Sequence, residues 1–191
     1  MTSTIISGLT FIPNFIDENT EQQLLNFFNN QVWSTDLSRR TQHYGFIYDY
    51  KIKNVNSLIT APKIPDILKD IFEDLKDFKD LKDFQVIINE YLPGQGIADH
   101  IDSSIFGDKI QSLSLGSNIG MIFKNKSTLE IVNIYLPRRS LIILEGDARY
   151  NWTHGIKKVK TDKNTIDYNT GIIIPSFKRQ TRVSITLRYK L

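Results

Sequence analysis

The chain has no cysteine among its 191 residues, which excludes disulfide scaffolds, cysteine-ligated zinc, iron–sulfur clusters and thiol nucleophiles together. Any metal must be held by nitrogen and oxygen. Histidine is scarce as well: His43, His100 and His154 are the three in the chain, so every histidine-based metal site can be enumerated. There is no apolar run of the ~18 or more residues that cross a bilayer. The opening MTSTIISGLTFIPNFID has no basic leader followed by a long apolar stretch. The expectation is a protein with no membrane association, cytoplasmic or nuclear. A net charge of +3 is too small to diagnose nucleic-acid binding. It is unevenly spread, however, with −6 on residues 1–110 and +9 on residues 111–191.

A chain of this length fits one domain, 1–191, and no Gly-, Ser- or Pro-rich linker divides it. Asp17 followed by Glu21, Leu24, Leu25, Phe27 and Phe28 predicts a capped amphipathic helix. Pro65 followed by Ile67, Leu68, Ile71, Phe72 and Leu75 predicts a second, from about 65 to 76. Residues 34–60 mix aromatic and basic side chains without a sustained period, as in a hairpin or ordered loop excursion. Residues 75–84 repeat an apolar-Lys-Asp triplet and suit a charged helix end and connector. Beyond Phe84 the chain turns to short β-branched and aromatic runs: 84–92, 111–116, 120–125, 129–136, 140–146, 148–156, 171–175 and 181–189. Eight strands after a helical start predict an α+β, mainly β fold, a jelly roll with N-terminal helices on one face.

His100-Ile101-Asp102 sets an imidazole and a carboxylate on one side of an extended segment. With a distant second histidine, His154 in ARYNWTHGI, they would make the facial triad of non-haem iron oxygenases, which leaves coordination positions open. In the last strand Arg182, Ser184, Thr186 and Arg188 share one face. Two arginines inside an otherwise apolar strand are costly without a carboxylate partner, which a bound dicarboxylate would supply. Asn89 and Tyr91 share a face of the strand leading to the His-x-Asp loop and offer neutral hydrogen bonds.

In these features the sequence resembles the AlkB family of Fe(II)- and 2-oxoglutarate-dependent dioxygenases. Asn89, Tyr91, His100 and Asp102 meet the family pattern N-x-Y-x8-H-x-D, His154-Gly155-Ile156 meets H-G-I, and Arg182, Ser184, Thr186 and Arg188 meet R-x-N/S-x-T-x-R. Residues 84–191 carry the likeness. RRTQHYGFIYDY resembles the family's nucleotide-recognition lid, placed at about 34–60. The longer stretches GIADHIDS, SLSLGS, LPRRSL and GDARYNWTHGI resemble the oxygenase domain of the tRNA wobble-uridine hydroxylase, the eighth AlkB homologue. That relative also carries RNA-recognition and methyltransferase domains for which this chain has no room.

The resemblance implies a double-stranded β-helix fold and Fe(II) held by His100, Asp102 and His154, the catalytic centre. It implies 2-oxoglutarate held by Arg182 with Asn89, Tyr91 and Ser184, and Arg188 near Asp102. O2 would be the co-reactant, and succinate and CO2 would be released as a substrate C–H bond is hydroxylated. The substrate implied is RNA, a modified wobble uridine in tRNA. A monomer is expected, with a separate methyltransferase or adaptor left open as partner. Repair members carry a second acidic residue two positions past the metal aspartate, where this chain has Ser104; that disfavours repair of methylated adenine or cytosine. Arg39, Arg40, His43, Tyr44 and Phe46 are candidates to grip phosphate and stack on a displaced base, or else form a surface hairpin with buried aromatics. His43 is expected to lie outside the sandwich strands and not to ligate metal. Arg138 and Arg139 contact phosphate or cap a strand turn, and Trp152 walls the pocket or fills core. The alternatives are an oxidative demethylase of alkylated RNA or DNA bases, a protein hydroxylase, and a catalytically silent cupin-like binding module.

Overall fold

The computed structural model describes residues 6–48, 58–72 and 83–191. Strand β1 (Leu9–Ile12) is followed by helix α1 (Glu18–Asn29), whose start is fixed by Asp17: its carboxylate accepts the Thr20 amide at 2.7 Å. Helix α2 is shorter than the spacing predicts. It runs Asp66–Lys69 with Pro65 at the cap position, and the rest of the predicted helix beyond Phe72, like most of the 75–84 connector, lies outside the described residues. No helix among the described residues is long and apolar enough to cross a membrane.

The β half forms the two layers of a jelly roll. One sheet has the order β1-β10-β7-β14-β5-β2 and the other β13-β12-β9-β8-β11-β6. In the first, β14 (Arg182–Tyr189) lies between β5 (Phe84–Tyr91) and β7 (Ile110–Leu115), with β10 (Leu141–Leu144) and β1 beyond β7. In the second, β8 (Ile119–Asn125) lies between β9 (Ile131–Leu136) and β11 (Trp152–Ile156), and β6 (Ile97–His100) forms the edge beside β11. Alternation sorts the side chains of the central strands. Val86, Ile88, Val183, Ile185 and Leu187 pack under Leu24 and Phe28 of α1 and Leu68 of α2. The opposite face, from Asn89 and Tyr91 to Arg182 and Arg188, turns into the space between the sheets, where Met121, Phe123, Ile134 and Ile156 close the other side.

Four expectations need correction. Thr41–Tyr44 is not part of an excursion: it is strand β2, paired with β5 in register Thr41↔Asn89. His43 therefore lies within the sheet. The short pair β3 (Phe46–Tyr48) and β4 (Leu58–Thr60) follows, and 49–57 of the proposed lid lie outside the described residues. Residues 148–156 are not one strand. Gly146–Tyr150 is helix α3, held by Ala148 N–H donating to Ser7 O at 2.9 Å and by Asp147, which accepts both Asn151 Nδ2 and the Trp152 indole. The predicted strand at 171–175 is displaced to β13 (Ile173–Lys178). Its partner β12 (Thr161–Ile166) was not predicted, because TDKNTI lacks the apolar alternation of a strand. Arg138 caps rather than reaches for phosphate: with Gly116 N–H it binds the fully buried Glu21 carboxylate, tying α1 to the sheet ends. Arg139, at φ 66°, supports the same turn through its carbonyl, which accepts Phe15 N–H at 2.8 Å.

Candidate active site

Between the sheets, β6 and β11 bring two histidines face to face. His100 pairs with His154 in register, and their ring centroids are 4.4 Å apart. This close pairing favours glycine on β11, since a Cβ at Gly155 would lie 3.0 Å from the backbone N and Cα of Asp99. Asp102 enters from the loop after β6. One ligand atom from each of His100, Asp102 and His154 lies within 4.8 Å of the others, the one such cluster among the described residues.

The protonation states suit a cation. Burial alone would raise the Asp102 pKa, but the charges of Arg188, His154, His100 and Arg149 outweigh it and hold the carboxyl below its ordinary value. Burial pushes His154 down to about 4 despite the pull of Asp102, so its imidazole is neutral at pH 7. His100 Nδ1 lies 2.9 Å from Ala98 O; a carbonyl only accepts, so Nδ1 is the donor and Nε2 is the nitrogen turned to a metal. Two imidazoles and an ionised carboxylate, with no thiolate, are a donor set for Fe(II).

Asp102 is held from both ends. Its Oδ1 accepts from Arg188 Nη1, while Arg188 Nε donates to Gln85 Oε1 at 2.7 Å and the guanidinium lies 3.7 Å from the Phe106 ring centroid. The loop backbone is held by Arg149, which is 2% exposed and donates to the carbonyls of Asp102 (2.9 Å), Ser103 (2.9 Å), Phe106 (3.2 Å) and Gly107 (3.1 Å). Arg149 was not singled out from the sequence. Its one signal is an arginine inside the aromatic stretch ARYNW, five residues before His154.

A narrow cavity of about 80 Å3 extends from the triad to Arg182. Arg182 is 1% exposed, donates to Ser114 Oγ at 2.8 Å, has no carboxylate partner among the described residues, and keeps a buried Nε with no hydrogen-bond partner. Burial lowers its pKa to about 10, so it stays charged at neutral pH. A buried cation with an unmet donor facing a cavity calls for an anion. The distal carboxylate of 2-oxoglutarate fits that need.

Asn89, Tyr91, Ser184 and Arg188 line the same cavity, as the shared strand faces predict. Arg39 also reaches it: Nε donates to Asn89 Oδ1 at 2.8 Å and the guanidinium lies 5.6 Å from the Tyr91 ring centroid. The other candidates stand elsewhere. Arg40 is engaged by Glu90 through two hydrogen bonds of 2.6 and 2.7 Å and lies over Trp33. Tyr44 is buried toward α1, hydrogen-bonded to Gln42, and Phe46 stacks on Phe106 in the core, so neither is free to stack on a base. His43 is half-buried beside Thr41 and outside the triad. Trp152 fills core, with its indole N–H on Asp147, and Ser104 is exposed on the turn after Asp102.

Residues 8–188 match the 2OG-Fe(II) oxygenase superfamily. The Xenopus tropicalis tRNA (carboxymethyluridine(34)-5-O)-methyltransferase alkbh8 is 35% identical over 201 residues, covering 95% of this chain. The chain is an AlkB-family 2OG-Fe(II) oxygenase. Fe(II), 2-oxoglutarate and O2 are therefore its reagents. This AlkB-family chain spans 31% of the Xenopus protein's length, but 85% of protein L905 of Acanthamoeba polyphaga mimivirus, to which it is 38% identical over 188 residues. The solved structure of OsALKBH1 superposes with TM-score 0.66 over 95% of this chain and 97% of that one. At 16% identity that likeness speaks to the fold.

Proposed function

We propose that this oxygenase hydroxylates a modified wobble uridine in tRNA. When bound, Fe(II) and 2-oxoglutarate supply the oxidising power, with O2 consumed and succinate and CO2 released. The chain's own part is placement. His100, Asp102 and His154 hold the metal; Arg182 neutralises the distal carboxylate of 2-oxoglutarate; Asn89, Tyr91 and Ser184 add hydrogen bonds. Arg188 and Arg149 keep the Asp102 carboxylate in place. The apolar wall from Met121, Ile142 and Leu144 keeps the cavity dry. Of the candidate substrate contacts in the segment around β2, Arg39 is the one that touches the cavity.

The observation that carries the uridine reading is Ser104, an exposed hydroxyl two residues after Asp102, at the position where the family's base-repair members carry a carboxylate. A carboxylate accepts from an exocyclic amino group, and uracil has none; a hydroxyl can also donate to a carbonyl oxygen. The likeness to relatives named for tRNA carboxymethyluridine supports it. A demethylase reading has support of its own in the Caenorhabditis elegans relative named DNA N6-methyl adenine demethylase, 30% identical over 79% of this chain. Mass spectrometry of nucleosides from treated tRNA separates the two. A 5-substituted uridine heavier by one oxygen is expected; loss of a methyl group from a base would replace this reading with demethylation.

A further inference from the structure

The cavity opens beside a second concavity, a groove of about 470 Å3 that shares Arg39, Ile97 and Ile156 with it. One wall is the edge strand β6, and the other is the Lys157–Lys158 turn that follows β11. The walls join at close quarters, since a Cβ at Gly96 would lie 2.2 Å from the Ile156 carbonyl oxygen. Gly96 and Ala98 keep the β6 side of the groove low.

Its charge is one-sided. Asp99, the acidic residue of the wall, is paired with Lys124 at 2.5 Å. Lys157 and Lys158 are exposed and, among the described residues, neither has a carboxylate partner. Their backbone is nonetheless fixed. Buried Arg179 holds Asp162 (Nη2 to Oδ1 2.6 Å), and its Nη1 donates to Lys157 O at 2.7 Å. The Val159 carbonyl accepts Gly94 N–H at 3.2 Å, tying the turn to the loop before β6. An ion pair of this kind, spent on holding two unpaired lysines at the mouth of a reactive cavity, suits a polyanion that must enter it.

We propose that this groove seats the sugar–phosphate backbone of a single-stranded nucleic acid. Lys157 and Lys158 each meet a phosphate, while the neighbouring nucleotide passes Arg39 into the metal cavity. The inference rests on the nucleic-acid reading and adds to it the surface of this domain that meets the strand.

The test is fluorescence anisotropy of a labelled anticodon stem-loop RNA at several salt concentrations. Wild type is compared with Lys157→Gln/Lys158→Gln and, as a control at distant exposed positions, with Lys63→Gln/Lys126→Gln. Each phosphate contact on a single strand contributes about 0.7 to the slope of log K against log salt, so the groove variant should lose about 1.4 of slope and about tenfold in affinity. The control should stay within twofold. Wild-type binding with the groove variant indistinguishable from the control would overturn the groove assignment and leave the nucleic-acid reading standing. Failure of wild type to bind RNA at all would remove both. Equal affinity for a polyglutamate peptide would overturn the groove as a nucleic-acid site and assign it to acidic protein segments.

Discussion

Arg149→Met is the sharpest perturbation of the loop that delivers Asp102. The substitution keeps an unbranched stem as far as the position of Nε and removes every donor. Four carbonyls lose their partner, and three of those contacts are fully buried. A hydrogen bond from a charged group is worth about 1.5–3 kcal/mol, and an unmet buried acceptor costs a similar amount. Relief from burying the cation offsets part of that loss. A net destabilisation of about 3–5 kcal/mol follows, or about 10 °C in Tm for a chain of this size. Because the first carbonyl is that of Asp102 itself, metal affinity should also fall, by about 10–100-fold as for other groups that orient a ligand. Thermal melting of the metal-free protein and calorimetric titration with Mn(II) read the two effects separately. Arg149→Lys, with one compact donor group, should recover less than half of either. A Met variant that melts within 2 °C of wild type and binds Mn(II) equally well would refute a positioning role for Arg149.

Arg182→Gln should raise the KM for 2-oxoglutarate about 30–200-fold, corresponding to about 2–3 kcal/mol for a charge-assisted pair, with a much smaller change in RNA affinity. An unchanged KM would place the cosubstrate's carboxylate elsewhere. The stability of the metal-free protein should depend on acid. Burial holds His43 and His154 at a pKa of about 4, against 6.5 for exposed histidine, so unfolding at low pH takes up protons the folded chain does not bind. The stability they contribute is complete above pH 6.5 and is lost as pH falls toward 4. Tm should therefore drop between pH 7 and 5, less steeply in His43→Gln; a flat profile would contradict the buried, neutral state of both rings.

The site was legible in the sequence where function imposes period and type. Arg182, Ser184, Thr186 and Arg188 alternate with Val183, Ile185 and Leu187, so one strand declares both its faces, and His100-x-Asp102 declares its geometry by spacing. Tertiary pairing hid the rest. Thr41–Tyr44 has no strand pattern of its own and takes its place from β5. Strand β12 is polar because Asp162 serves the buried pair with Arg179 rather than a hydrophobic face. Helix α3 carries Arg149 in a segment whose Tyr and Trp suit a strand equally well, and the contact with Ser7, some 140 residues away, settles it. Buried aromatics also misled. Tyr44 and Phe46 resemble base-stacking residues in sequence, yet alternation on β2 and the stack on Phe106 commit them to core.

The most direct measurement of the central claim is succinate released by purified protein supplied with Fe(II), ascorbate and 2-oxoglutarate, with and without tRNA. Turnover should rise when tRNA is added and vanish in His100→Ala. Turnover that ignores every RNA and DNA tested, or that survives loss of His100, would contradict it.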